Sequence, residues 1–323
     1  MASALLSRSS RSANDPLSDV LSLLKPRGFM SGGIDAGGTW AISFGQDQCF
    51  RFFAVASGAC WLQLEGMEEA IYLQTGDVVA LPHGRAFCLA GDPSTTPVDI
   101  MKVLSAPLKG RIVSWNGGGA CLALSALFTF SGDQAQMLLG VLPLVIHIRN
   151  DADRVTMRWY LERMMEVARE SRPGGVLLGE HLAQMMLIEV LRLHLEDRVT
   201  SKIGWLFALA DQPICTAMTA MHGDPGRRWT LQELARLAGM SRSAFAVRFK
   251  EKVGVSAMDY LIRWRMLLAA DKLVKADEPV AAVARSLGYE SESAFGFAFK
   301  REMGCSPRQY CRTRVSAQLG LAG

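Results

Sequence analysis

Basic and small polar residues recur at matching positions near the C-terminus of this 323-residue chain, and such side chains suit phosphates and base edges. A Ser-Ala-Phe-x-x-x-Phe-Lys motif occupies residues 243–250 and again residues 293–300, an offset of 50. On a helix, the residues that lie away from the phenylalanines share an outer face. We expect that face to consist of Arg242, Ser243, Ala246, Val247 and Lys250 in the first copy, and of Glu292, Ser293, Gly296, Phe297 and Lys300 in the second. These residues are the predicted contacts to double-stranded DNA.

Capping residues mark the helices that must position the first copy. Thr230 followed by Glu233 predicts a capping box at the start of a helix that runs to about residue 238. Gly239 suits the left-handed conformation that ends a helix, and Ser241 begins the next helix, which ends near Gly254. The result is a helix, a glycine turn and a second helix, which is the helix-turn-helix plan.

The second copy repeats this plan. Pro279 suits the first turn of a helix, Gly288 ends that helix, and residues 291–303 form the next. Another capping box, at residues 306–309, begins a closing helix. Between the copies, residues 256–276 are predicted as one helix of ~30 Å, close to the ~34 Å between successive major-groove faces of DNA. Such a connector suits two helices that enter neighbouring segments of the groove.

Residues 229–312 resemble the AraC/XylS transcription regulators. The resemblance rests on three stretches, residues 235–245, 260–270 and 283–301. It implies a transcription regulator that binds DNA through two helix-turn-helix units. The chain departs from the family at Ala257, where many relatives carry proline, and at Val247 and Phe297, where they often carry arginine. Apolar side chains there cannot donate to guanine, but they can pack against a thymine methyl group.

Charge is unevenly distributed along the chain. Residues 227–314 hold 17 Lys/Arg and 9 Asp/Glu, a balance of +8, whereas the whole chain has a net charge of +4. Basic residues placed on phosphates give an affinity for DNA that depends on salt. The uneven charge therefore favours the same part of the chain as the repeat.

Residues 15–130 are predicted as a β-rich domain, because short β-rich runs separated by glycine turns are typical of a small barrel or jelly roll. The candidate strands are residues 40–44, 50–55, 59–64, 70–73, 78–81, 86–89, 100–104 and 121–130. Residues 76–84 resemble the second cupin motif, and residues 15–91 are similar to the cupin-type sensor domain of one branch of AraC regulators. The predicted fold class is α+β, with an N-terminal cupin-like β-barrel with helices and a C-terminal all-α tandem helix-turn-helix domain.

The cupin resemblance also bears on metal binding. Metal-binding cupins carry histidines where Phe53 and Phe87 stand here, and His83 is the only histidine between residues 1 and 146. One imidazole cannot build a transition-metal site, so we expect no metal and no other cofactor. Phe53, Trp61, His83 and Phe87 are instead predicted to line a largely apolar pocket for a small-molecule effector.

Residues 131–220 are predicted as a helical dimerisation and linker region, with helices at residues 134–142, 156–171, 176–199 and 203–220. The third of these is apolar on more than one side, which favours packing against both the barrel and a second copy of the chain. The other predicted boundaries are a disordered tail at 1–14, the DNA-binding domain at 221–314 and a flexible tail at 315–323.

Other classes of protein find little support in the sequence. No nucleophile-elbow pattern occurs, so we expect no catalytic residue and no enzyme, and a cupin-type enzyme is the less favoured alternative. Seven scattered cysteines fit a reducing cytoplasm, although a redox-sensing regulator that uses Cys49, Cys60, Cys88 or Cys121 stays open. No apolar run reaches the ~20 residues that span a bilayer. The sequence thus predicts a cytoplasmic regulator that binds promoter DNA as a homodimer, with a small-molecule effector and RNA polymerase as candidate partners.

Overall fold

The computed structural model of the chain describes residues 15–106, 108–130, 139–140, 142–149, 151–170, 172–196, 204–275 and 278–320. The chain divides into two compact units. The helical unit joins Met1–Leu24, which contains helix α1 (Pro16–Leu24), to Val199–Gly323. The strand unit spans Lys25–Arg198. The predicted tail at 1–14 lies outside the described residues.

The strand unit contains eleven strands among its described residues, joined in one sheet. They are β1 (Arg27–Ala36), β2 (Ala41–Phe44), β3 (Phe50–Leu64), β4 (Ile71–Gln74), β5 (Val78–Leu81), β6 (Phe87–Ala90), β7 (Val98–Asp99), β8 (Leu108–Lys109), β9 (Ile112–Trp115), β10 (Cys121–Thr129) and β11 (Ile146–Ile148). The strand order is β7-β2-β6-β3-β10-β1-β9-β8; β4 and β5 also pair with β3, and β11 pairs with β5.

The long strand β3 curls the sheet, because its two halves pair with different neighbours. Residues 50–58 pair with β10 and in part with β5, whereas residues 59–64 pair with β4 and β6. A shift in the pairing with β10 and a φ of +80° at Gly58 bend the strand between the halves. A Cβ on Gly58 would lie 1.9 Å from the carbonyl oxygen of Ala120, so only glycine fits there. The two strands predicted over this range are therefore one bent strand.

Aromatic rings fill the core of the strand unit. Phe44 stacks on Phe87 with ring centroids 4.3 Å apart, and Phe53 meets Phe87 nearly edge-on at 5.0 Å. None of the three side chains is more than 5% exposed. Leu62 and Leu73 belong to the same buried cluster. Burying an apolar side chain of this size stabilises the fold by roughly 1.5–3 kcal/mol, so this cluster anchors the curled sheet.

Two helices, α3 (Asp151–Arg169) and α4 (Gly175–Glu196), pack against each other and against the sheet. The strands that they contact include β1, β3 and β10. Gly179 of α4 lies against Met30, where an added Cβ would approach to 3.4 Å, and the side-chain amide of Gln184 donates to the Pro26 carbonyl at 3.0 Å. These two contacts hold α4 against the start of β1.

Several local predictions for the strand unit differ from the structure. Residues 100–104 form helix α2 (Ile100–Leu104) rather than a strand, because the Asp99 carboxylate caps it by accepting from the Met101 amide at 2.8 Å. Five of the described strands, β1, β7, β8, β9 and β11, were not anticipated. The helix predicted at 134–142 falls mostly outside the described residues.

The helical unit contains eight further helices among its described residues. They are α5 (Trp205–Ala208), α6 (Gln212–Gly223), α7 (Leu231–Leu237), α8 (Arg242–Val253), α9 (Ala257–Lys275), α10 (Val280–Ser286), α11 (Glu292–Met303) and α12 (Pro307–Gly320). The single helix predicted at 203–220 is two helices, since Asp211 caps α6 and proline occupies its first turn. Helix α12 continues into the predicted flexible tail.

His222 joins α1 to α6 and α9. Its Nδ1 lies 3.1 Å from Asp19 Oδ2, and its Nε2 lies 2.8 Å from the Tyr260 hydroxyl. The imidazole stacks on the Trp264 ring at 3.7 Å. Burial, partly opposed by Asp19, lowers the pKa of His222. Helix α1 therefore packs with the helical unit, although the sequence analysis grouped its residues with the 15–130 domain.

Two phenylalanines of α11 separate folding from surface effects. Phe299 is fully buried and meets the Tyr310 ring at 5.5 Å, whereas Phe297 is 75% exposed. We expect Phe299→Ala to lower the free energy of unfolding by about 3–5 kcal/mol, because it leaves a cavity in a packed core. Phe297→Ala, the matched control, should change it by about 0.5 kcal/mol or less. Urea unfolding measures both; equal stability of the two variants would contradict the assigned inner face.

Candidate nucleic-acid interface

The first helix-turn-helix unit consists of α7 and α8, and its caps hold both helices in place. The Thr230 hydroxyl accepts from the Glu233 amide at 3.2 Å, and the Glu233 carboxylate accepts from the Thr230 amide at 2.9 Å, which completes the predicted capping box. Gly239 has a φ of +65° in the turn. Ser241 then caps α8 by accepting from the Ala244 amide at 3.2 Å. Helix α8 therefore starts at a fixed point and direction.

The second unit, α10 and α11, repeats this arrangement. Gly288 takes the turn with a φ of +82°, and Ser291 caps α11 by accepting from the Ala294 amide at 3.1 Å. Gly254 and Gly304 end α8 and α11 in the left-handed conformation. Pro279 differs slightly from the prediction, since it is the N-cap of α10 rather than part of its first turn.

Helix α9 connects the two units and contributes to the core of each. The Phe249 ring of α8 meets Tyr260, near the start of α9, at 5.8 Å. Met266 and Leu273, farther along α9, share a buried cluster with Phe295 and other residues of the second unit. Helices α8 and α11, the second helix of each unit, therefore bury one phenylalanine pair each, Phe245 with Phe249 and Phe295 with Phe299, and leave the opposite face to solvent.

The predicted DNA contacts lie on these two outer faces. Ala246 follows Phe245, Gly296 follows Phe295, and both residues are half-buried. The other eight predicted contacts are exposed: Arg242, Ser243, Val247, Lys250, Glu292, Ser293, Phe297 and Lys300. Each of these two helices thus brings together five of the residues singled out from the sequence, on a face that solvent can reach.

Two apolar side chains stand out on the outer faces. Val247 is 58% exposed and Phe297 is 75% exposed, although both residue types usually avoid water. They occupy equivalent positions in the two copies of the motif. No folding requirement of their own helices accounts for this exposure, because Phe249 and Phe299 already fill the inner face.

The charges of the outer faces are unequally paired. Among the described residues, no carboxylate forms an ion pair with Arg242, Lys250 or Lys300, so these cations are open to an anionic partner. Glu292, by contrast, lies 3.3 Å from Arg308 at the start of α12. Arg308 is a contact that sequence reasoning missed; its place in the first turn of the closing helix was the available signal.

The four residues predicted to line an effector pocket do not come together. Phe53 and Phe87 pack against each other in the buried aromatic core. Trp61 lies on the other side of β3 from Leu62, and its ring contacts Tyr72 at 5.0 Å. The irregularity in β3 explains the separation: Phe53 and Val55 face the buried cluster before it and Cys60 and Leu62 face it afterwards, so the alternation changes parity and Trp61 points away.

His83 instead lines an open polar groove in the strand unit. Its Nε2 lies 3.0 Å from the Leu142 carbonyl oxygen. The groove has a volume of about 920 Å³ and is also lined by Gln46, Glu65, Arg85 and residues 142–144. Arg85 donates to the Glu65 carbonyl at 3.3 Å, and its other donors have no partner among the described residues. This surface can hold a polar molecule.

No group of three His, Cys, Asp or Glu side chains in the described part of the chain could hold a metal ion. No helix there is long and apolar enough to cross a membrane.

Comparisons with known proteins agree with this architecture. Residues 15–196 match a family model described as Cupin, and residues 234–313 match one described as a helix-turn-helix domain. An AraC-like transcription regulator of Streptomyces lividans is 40% identical over 297 residues, which cover 92% of this chain and 97% of that protein. The transcriptional regulator AlkR of Acinetobacter baylyi is 29% identical over 281 residues, 84% of this chain and 91% of its own.

The chain also has a likeness to a solved structure. The DNA-binding domain of AdpA, crystallised with a target DNA, is 28% identical and covers 33% of this chain and 96% of its own length, with a TM-score of 0.32.

A curled cupin sheet joined to tandem helix-turn-helix units defines a DNA-binding transcription regulator rather than an enzyme. The chain belongs to the AraC-like transcription regulators. The predicted family and fold class are thereby confirmed.

Lys250 provides a test of the outer face of α8. If its ammonium group meets a DNA phosphate, Lys250→Ala should weaken binding to all sequences about equally and reduce the salt slope of log K by ~1. Lys252→Ala is the matched control, since residue 252 lies about 200° around the helix from residue 250. Fluorescence anisotropy at several salt concentrations gives both slopes. Equal slopes for wild type and Lys250→Ala would remove Lys250 from the interface.

Proposed function

We propose that this regulator reads promoter DNA by placing α8 and α11 in successive major-groove segments on one side of the duplex. The observation that carries the proposal is the pair of matched outer faces, each opposite a buried phenylalanine stripe. Helix α9 has 19 residues and therefore spans ~28 Å, close to the ~34 Å repeat of the groove. The connector has the length that two neighbouring groove segments require.

The outer faces favour a particular kind of base recognition. Arg242 is exposed and without an ion pair among the described residues, so it is the best candidate for a strong hydrogen bond to a guanine edge. Glu292 could accept from cytosine N4, and its pairing with Arg308 is exposed to solvent, so the carboxylate can exchange that partner for a base. Ser243 and Ser293 discriminate little, since a hydroxyl bonds to almost any base. Sequence preference therefore falls mainly on Arg242, Glu292 and the two exposed apolar side chains.

Val247 and Phe297 suit thymine. Neither side chain can hydrogen-bond, and both can bury a thymine 5-methyl group in the major groove. Contact with DNA would also remove their exposed apolar surface from water, which is favourable by roughly 25 cal/mol per Å². We infer a site with thymines opposite both residues and with its two blocks ~10 bp apart, centre to centre.

The regulator is proposed to act as a homodimer through α4. Leu177, Met185 and Ile188 are 58%, 45% and 42% exposed, and their spacing places them within one stripe of the helix. The opposite side of α4 packs on β1. An exposed apolar stripe on a helix that is already anchored fits the matching stripe of a second copy.

Ile188→Asp tests this assignment. A carboxylate in the middle of an apolar interface cannot be desolvated cheaply, so the variant should be monomeric where the wild-type chain is dimeric. Met101→Asp, on the 71% exposed position of α2, is the control and should remain dimeric. Sedimentation equilibrium distinguishes the two masses. A dimeric Ile188→Asp variant would place the interface elsewhere.

The polar groove around His83 and Arg85 is the proposed site for a small-molecule effector. The residues that line it combine a guanidinium, an imidazole and a carboxylate, which suits a polar ligand better than the apolar one expected from the sequence. Mass spectrometry of small molecules released from denatured wild-type and Arg85→Ala proteins tests this, and identical profiles would argue against the groove. When the effector is bound, the regulator would alter transcription either through contact with RNA polymerase or by blocking the promoter.

The alternative of a redox-sensing regulator has less support. All seven cysteines are free thiols. Burial raises the pKa of the Cys49 and Cys88 thiols, which lowers the reactive thiolate fraction at neutral pH. Cys60 and Cys121 lie side by side, but each is only 1% exposed. Oxidants therefore reach these thiols poorly in the folded protein.

Uracil substitution tests the thymine contacts. A randomised duplex library selected with the full chain supplies the preferred site, and each thymine is then replaced by uracil, which removes only the methyl group. Loss of one buried methyl should weaken binding about fourfold, at ~0.8 kcal/mol per buried group.

The control for this test is the double variant Val247→Ala with Phe297→Ala. It should bind the thymine and uracil sites equally, because the side chains that contact the methyl groups are gone. Equal binding of both sites by the wild-type chain would show that these two residues make no methyl contact.

A further inference from the structure

The segment that leads into the first helix-turn-helix unit touches the turn of the second unit. A Cβ on Gly288 would lie 2.2 Å from the Gly226 carbonyl oxygen, and a Cβ on Gly226 would lie 2.7 Å from the Ser286 carbonyl oxygen. Both approaches are shorter than a side chain allows. The two backbones are therefore in direct contact, and neither glycine belongs to the connecting helix α9.

Arg265 of α9 fastens this contact. Its Nε donates to the Pro225 carbonyl at 2.6 Å, and its Nη2 donates to the Arg227 carbonyl at 2.8 Å. The guanidinium also lies 5.9 Å from the centre of the Tyr289 ring, within the range of a cation–π contact. One half-buried side chain thus holds both the segment before α7 and the turn before α11.

A nearby ion pair contributes little to this fastening. Arg228 and Glu290 pair across the same junction, but their side chains are 74% and 77% exposed. Exposed ion pairs contribute about 0–1 kcal/mol and are screened by salt. The fixed elements are therefore the backbone contact and the Arg265 fork.

We propose that Arg265, Tyr289, Gly226 and Gly288 form a bracket that sets the angle between α8 and α11, and so selects the spacing between the two blocks of the DNA site. The proposal rests on the function proposed above, in which α8 and α11 read neighbouring groove segments. Helix α9 alone leaves the two units joined by one element, about which they can twist. A second attachment away from the helix axis resists that twist.

The angle matters because the groove is helical. Inserting one base pair between the two blocks rotates the second by ~35° and moves it by ~3.4 Å. A rigid pair of recognition helices can satisfy only one such geometry. A pair free to twist can follow several.

Arg265 is a positioning residue in this scheme, not a contact to phosphate. Its Nε and Nη2 already donate to carbonyl groups of the chain. A lysine would keep the charge but lacks the planar fork that reaches two carbonyls at once. Arg265→Lys therefore separates positioning from charge.

The experiment measures binding of the full chain to selected DNA and to versions with one or two base pairs added or removed between the blocks. Wild type should lose on the order of thirtyfold in affinity at the altered spacings, comparable to the loss of one or two base contacts. Arg265→Lys and Gly226→Ala should bind the original site about tenfold more weakly, yet differ less than about threefold among spacings. Gly45→Ala, where an added methyl meets nothing within 4 Å, is the control and should behave as wild type.

Each outcome decides the matter. A flattened spacing profile in both variants supports the bracket. An equal loss of affinity at every spacing in folded Arg265→Lys and Gly226→Ala would overturn it, because simple destabilisation or lost charge acts uniformly. If Arg265→Lys fails to fold, Gly226→Ala and Tyr289→Leu give the answer. If wild type selects no DNA site at all, the proposed reading of promoter DNA by α8 and α11 fails instead.

Discussion

The constraint on which the helical unit depends is the burial of two phenylalanine stripes against one shared helix. Phe249 contacts Tyr260 near one end of α9, while Phe295 and Phe299 pack with Met266 and residues beyond it. Because α9 completes both cores, α8 and α11 each bury the face that carries the paired phenylalanines and expose the other face. The outer faces follow from that burial, and the capping serines set where each helix begins.

In the strand unit, aromatic rings fill the core between the two halves of the curled sheet. The sequence resemblance placed Phe53 and Phe87 where metal-binding cupins carry histidine, and here their rings meet at 5.0 Å. A buried benzyl group excludes both water and a cation, and it adds apolar surface to the core. The two phenylalanines thus stabilise the curled sheet at positions where the resemblance would place metal ligands. The polar groove at His83 and Arg85, away from this cluster, is the site proposed above for an effector.

Local signals predicted the helical unit well, because its helices are specified by nearby residues. The capping box at Thr230 and Glu233 forms as expected. The strand unit was harder, since β1 is a glycine-rich stretch that becomes a strand only by pairing with β10, about 90 residues later. Residues 100–104 have β-forming side chains, yet the Asp99 cap makes them a helix. Trp61 was assigned to the pocket by residue type, and simple alternation would place it on the same face as Phe53, whereas the irregularity in β3 between them turns it away. The Arg265 contacts could not be foreseen, because they join segments about 40 and 20 residues away from it.

The separation of inner and outer faces on α8 and α11 has a consequence for how such a regulator changes over generations. The two copies of the motif keep the same inner phenylalanines while their outer residues differ, as Arg242 and Glu292 do. Exposed positions away from caps and cores change the free energy of folding by only about ±0.5 kcal/mol when substituted. With the proposed reading of DNA, mutations in the outer face of either helix-turn-helix unit can therefore change the operator sequence and leave the scaffold intact. Divergence between duplicated genes would accumulate first on these two surfaces, one half-site at a time.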